Sequence, residues 1–187
     1  MYNINIRRVI TIDTKLFIEE ILKPLEKKLH VSIYLNVGNT RNDWNNNCPK
    51  IKKGENCDGC ISTSRCDKTG RRICLHLQEK SSEVISALFH EIGHVTMHNI
   101  YNRYEDNPIF CEAEAEEFAK VMCKKTSIPY NPNFKDAPDI NFINYFWNLY
   151  TDYCSQKKHK KREIRYNLIE KITNEVLNYN LDYKKFL

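Results

Sequence analysis

Residues 81–98, SSEVISALFHEIGHVTMH, constrain this chain more than any other stretch. They contain His90-Glu91-Ile92-Gly93-His94, two histidines four positions apart with a glutamate directly after the first. Residues so spaced point the same way on an α-helix. The pattern therefore predicts one helix offering His90 and His94 to a single metal ion, with Glu91 beside it to accept a proton from water. Ser81 or Ser82 is suited to cap this helix, and Glu83 to its first turn. Val84, Ile85, Leu88, Ile92 and Val95 form one apolar stripe at 100° per residue. The two histidines fall opposite that stripe, which predicts an open cleft around them. The plainer alternative is a pair of satisfied core or surface histidines.

A chain of 187 residues fits one domain, 1–187, with a core of its own. Its formal charge is +5, and much of the excess lies in one late run, KKHKKREIR at 157–165. That run reads as a solvated loop or helix start, so nucleic acid is not the expected partner. No apolar run approaches the roughly 18 residues of a membrane span. The first 15 residues lack the apolar core and cleavage site of a signal peptide, so a cytoplasmic location is expected. In such a reducing compartment the eight cysteines should be thiols or metal ligands, not disulfides. Cys111, Cys123 and Cys154 are scattered and read as small core residues.

Taken in order, residues 13–29 read as a helix capped by Asp13, with Pro24 kinking or splitting it. Residues 30–37 read as a strand. A cysteine-rich loop or insertion follows at about 40–70. Within it Cys48, Cys57, Cys60 and Cys66 are candidates for a second, structural zinc that would fold an otherwise coreless loop. Residues 71–78, RRICLHLQ, alternate as a strand just before the metal helix. If it lies at a sheet edge, it could take an extended peptide as one more strand; an ordinary half-buried strand is the alternative. Residues 111–125, CEAEAEEFAKVMCKK, have high helix propensity. A helical C-terminal part starts at about 137, and residues 164–181 form its last amphipathic helix, with Ile164, Leu168, Ile172 and Val176 in register.

Catalytic zinc sites have three protein ligands and leave a fourth position to water. Glu112 is the choice for the third. It shares a helix flank with Glu116, one turn away, which suits Glu116 to support a liganding histidine. Glu114, on the other flank, is the alternative. His98 drifts about 40° further round the helix than His94, so three histidines would not converge on one ion. With zinc in place, Glu91 would shuttle a proton from water to the leaving amine of a cut peptide bond. Tyr101, Tyr104 and Tyr130 are candidate oxyanion donors, and the sequence does not choose among them.

HEIGHVTMH followed by EAEAEEFAKVM resembles the ImmA/IrrE family of small bacterial and phage metallopeptidases. Those proteins pair H-E-x-x-H with a downstream helix of the form E-x-E-A-(N/D)-x-F-A, here residues 112–119. The resemblance covers roughly residues 13–125 and implies His90, His94 and Glu112 as zinc ligands with Glu91 as catalyst. It also implies a helix-turn-helix repressor as substrate, and a place in stress-response or mobile-element control. Glu116 stands where the family has Asn or Asp, and the cysteine-rich stretch is not a family feature.

The expected fold is therefore α+β and zincin-like, of the glutamate-zinc type: a small twisted sheet, the H-E-x-x-H helix and a helical C-terminal part. The expected function is a zinc metallopeptidase cutting a regulatory protein, with no membrane partner. One rival is a non-catalytic module using the same fold to bind a partner, against which Glu91 argues. The other is a nucleic-acid-binding regulator built on the cysteine loop and the basic run, whose mark would be salt-dependent DNA binding.

Overall fold

A computed structural model describes residues 12–36, 64–66, 72–76, 80–99, 108–131, 142–157 and 163–187. The first helical rod begins where the Asp13 carboxylate accepts a hydrogen bond from the Leu16 amide at 3.1 Å. It runs as α1 (Thr14–Phe17), a π-helical turn (Ile18–Leu22) and α2 (Lys23–Leu29). The wide turn falls just before Pro24, whose ring cannot donate to the preceding turn. Lys23 N–H instead reaches back to the Ile18 carbonyl, so the rod continues rather than breaking. It ends at His30 in the left-handed region, φ 54°.

Among the described residues the strands are β1 (Ser32–Asn36), β2 (Ser64–Cys66) and β3 (Arg72–His76), in the order β1-β3-β2. β1 runs parallel to β3, with Ile33 opposite Ile73, while β2 runs antiparallel to it, with Cys66 opposite Ile73. β3 thus lies between two neighbours. The strand expected to accept a peptide at a sheet edge has both its hydrogen-bonding sides occupied, and among the described residues the edges are β1 and β2.

Helix α3 (Ser81–Gly93) follows, continued by a π-helical segment (His94–Asn99). Its N-cap residue is Lys80, with no side-chain cap; neither Ser81 nor Ser82 fills that place. Every residue from Val84 to Met97 is buried, so the helix is enclosed on all sides rather than along one stripe. Ile73 and Leu75 of β3, Phe17, Ile21 and Leu25 of the first rod, and Phe118 and Met122 of α4 (Pro108–Thr126) share its core. A helix without a solvated face sits at the centre of a molecule, where its polar residues must find partners.

Helices α5 (Phe142–Lys157) and α6 (Tyr166–Leu177) follow, and the described residues are mostly helical with little strand. Tyr150 of α5 packs on Phe110 of α4, with ring centroids 5.2 Å apart. Helix α6 starts two residues later than Ile164 and buries Ile169, Ile172 and Val176, with Leu168 only partly covered. The closing 3-10 turn, Tyr183–Phe186, sets Tyr183 edge-on against Phe89 at 4.9 Å and Phe186 against Phe17 at 5.2 Å. No helix among the described residues is long and apolar enough to cross a membrane.

Candidate metal centre

The site is made where α3 and α4 cross. Glycine inside a helix costs about 1 kcal/mol relative to alanine, so Gly93 needs a reason. A Cβ there would lie 3.0 Å from the Ala115 Cα and 3.2 Å from the Ala115 carbonyl oxygen. Gly93 lets the two backbones touch, and that close approach carries the start of α4 up to the histidines.

His90 and His94 are 3 % and 5 % exposed. Their Nε2 atoms lie 3.0 Å apart. Glu112 Oε2 is 3.2 Å from His90 Nε2 and 3.4 Å from His94 Nε2. The Glu112 side chain keeps 35 % exposure, so the only open corner of this triangle is the carboxylate. The histidines therefore do not line an open cleft; they are roofed by protein, with access past Glu112.

A tetrahedral zinc with bonds of about 2.1 Å has ligand-to-ligand edges of roughly 3.4 Å. The observed triangle has nearly that size, and its donors, two imidazoles and a carboxylate, are zinc-type ligands. Among the described residues, His90, His94 and Glu112 are the group that could hold a metal ion.

The ring nitrogen on the far side of His90 is also fixed. His90 Nδ1 donates to Glu116 Oε2 at 2.7 Å, and Glu116 is 1 % exposed. With the proton on Nδ1, Nε2 presents its lone pair to the triangle. The second Glu116 oxygen accepts a hydrogen bond from the Tyr130 hydroxyl. Burial and the charge of Glu116 push the Tyr130 phenol well above its usual range, so it stays a donor.

These charges want a cation between them. Burial disfavours the His90 imidazolium, yet the hydrogen bonds and charges of Glu112 and Glu116 outweigh it and hold its pKa well above 6.5. Burial likewise raises Glu112, but the charge of His94 and the bonds to both imidazoles pull it far below the carboxylate range. Three lone-pair donors within about 3 Å repel one another unless a proton or a metal ion sits among them.

Glu91 is 4 % exposed and follows His90 on the same turn of α3. Glu114, the alternative ligand, lies on the other flank of α4 and is fully buried against Arg165. Its Oε1 accepts from the Arg165 amide at 3.1 Å and from Nε at 2.9 Å, and its Oε2 from Nη2 at 2.6 Å. It is not at the metal triangle. Tyr130, a candidate oxyanion donor, has its hydroxyl on Glu116 instead. Tyr101 and Tyr104, like Cys48, Cys57 and Cys60, lie outside the described residues; Cys66 ends β2. His98 lies in the π-helical segment after His94. Cys111, Cys123 and Cys154 are buried thiols, and burial pushes the Cys123 thiol up to about 11, which leaves it unreactive.

Sequence reasoning missed three contributors. Gly93 carried a usable signal, since glycine in a helix marks a close approach. Arg165 and the Tyr130–Glu116 contact carried none, because both depend on where distant segments land.

No protein-family model matches the chain, and comparison with curated proteins and with solved structures returned no match either.

Proposed function

We propose that this chain is a zinc-dependent metallopeptidase with a zincin-like fold of the glutamate-zinc type, similar in kind to the ImmA/IrrE proteins. Its proposed substrate is a regulatory protein such as a helix-turn-helix repressor. The observation that carries the reading is the triangle of His90 Nε2, His94 Nε2 and Glu112 Oε2, with sides of 3.0, 3.2 and 3.4 Å, beside the glutamate of an H-E-x-x-H.

His90, His94 and Glu112 would hold the zinc, which when bound supplies Lewis acidity toward a carbonyl and acidifies water near neutral pH. The chain's own residues supply the rest. Glu91 takes the proton from the attacking water and returns it to the leaving amine. Glu116 holds the His90 ring in one tautomer. The exposed side of Glu112 marks where a substrate strand would enter, and the buried walls made by α3 and α4 keep other water out.

The test is Glu91→Gln, assayed for zinc content and for cleavage of a helix-turn-helix repressor by mass spectrometry. A general base contributes about 10²–10⁴ in rate. The variant should keep the zinc of the unmodified protein and lose cleavage by at least about a hundredfold. Cleavage retained at the original rate would overturn the role given to Glu91.

A further inference from the structure

The segment that follows α4 turns back along α3. Ser127 adopts a left-handed conformation, φ 56°, and the Ile128 amide bonds the Cys123 carbonyl at 2.9 Å, which ends the helix and reverses the chain. Ile128 is buried in the core. Asn131 then ties the returning strand to α3: its amide donates to Ser86 Oγ at 3.1 Å and its side chain to Ser82 Oγ at 2.8 Å. Tyr130 lies between these two anchors, and its hydroxyl bonds Oε1 of the Glu116 carboxylate while His90 bonds Oε2. The result is a chain of contacts, Tyr130 to Glu116 to His90, ending at a metal-facing nitrogen.

We infer that Tyr130 is a positioning residue for the metal, acting through Glu116 to fix the His90 ring. The inference rests on the metal reading of the triangle but not on peptidase activity. Glutamate has one more rotatable bond than aspartate or asparagine, so a carboxylate at position 116 has more freedom to swing off Nδ1. The Tyr130 hydroxyl removes that freedom by taking the second oxygen. Without it a buried carboxylate keeps fewer of its donors, and the ring it steers is less well held.

The test is cobalt(II) and zinc binding by Tyr130→Phe, Glu116→Ala and the double variant. Cobalt is read at its visible d–d band, which distinguishes nitrogen and oxygen ligands from thiolates, and zinc by chelator competition. Loss of a supporting contact to a liganding histidine weakens metal binding by about 10–100-fold. Tyr130→Phe should raise the Kd about tenfold and alter the d–d band. In the Glu116→Ala background the same change should add nothing, because alanine offers the Tyr130 hydroxyl no acceptor and the contact is already lost. A merely structural Tyr130 would give losses that multiply. Multiplying losses, or a Tyr130→Phe protein that binds like the original, would overturn the inference. If the unmodified protein takes up neither metal, the metal reading itself fails and the inference with it.

Discussion

On one flank of α4, Glu114 accepts three hydrogen bonds from Arg165, and its charge is matched by a guanidinium from the start of α6. On the other flank, Glu112 and Glu116 face His90 and His94, whose Nε2 atoms stand 3.0 Å apart. Both flanks bury carboxylates on the same helix, within five residues. The difference lies in what supplies the positive charge. Glu114 has a permanent cation covalently part of the chain, fixed in a bidentate geometry that leaves no room for exchange. The other pair has only imidazoles, which can be neutral, and a triangle of lone pairs that a proton or a divalent ion completes. A carboxylate closed by arginine is a staple between α4 and α6; one closed by histidines is a place to bind something.

Removing Arg165 should give the largest effect. Arg165→Ala leaves Glu114 buried without its guanidinium, and breaking a buried pair costs about 3–5 kcal/mol. Urea unfolding should show that loss, while the folded fraction still binds metal. Glu112→Ala should do the reverse. Its half-open side chain contributes little to folding, but metal affinity should fall by more than about a hundredfold, roughly 2.7 kcal/mol. If both variants lost stability and metal together, the two flanks would not be separable in this way.

Gly93→Ala tests the crossing that creates the second flank. The added methyl meets the Ala115 backbone at 3.0 Å, so the helices must part, at a cost of about 1–3 kcal/mol. Because Glu112 rides on α4, metal affinity should weaken as well, which isothermal titration of the metal would read.

The smallest effect is that of a single pH unit. The His90 pKa is raised above 6.5, chiefly because its carboxylate neighbours outweigh the burial penalty. A proton therefore competes for Nε2 at any pH below that raised value. Metal affinity should fall as pH drops through it, by about tenfold per unit for one displaced proton, or 1.4 kcal/mol. Titrations at pH 6 and pH 8 would detect it; the arginine-closed flank should be indifferent over the same range, since guanidinium does not titrate there.

Much of this was legible in the sequence where the cause is local. The Asp13 cap, the helix at the H-E-x-x-H and the alternating strand before it follow from residues within one or two turns of each other. Spacing put Glu112 ahead of Glu114, on the flank it shares with Glu116, but it could not say what would hold Glu114. What separates them is Arg165, 51 positions away from Glu114, whose arrival only the packed chain reveals. The expected open cleft failed for a similar reason. A stripe computed from α3 alone leaves its other side bare, and that side is covered by α4, a separate segment. Tyr130 read as an oxyanion donor because tyrosine is one by type; its partner depends on a chain reversal at Ser127.

The most direct test of the central claim is zinc content by elemental analysis, comparing the purified protein with a His90→Ala/His94→Ala variant. The comparison removes any zinc bound elsewhere from the difference. The unmodified protein should carry one zinc per chain more than the variant; equal zinc in two folded samples would contradict the account.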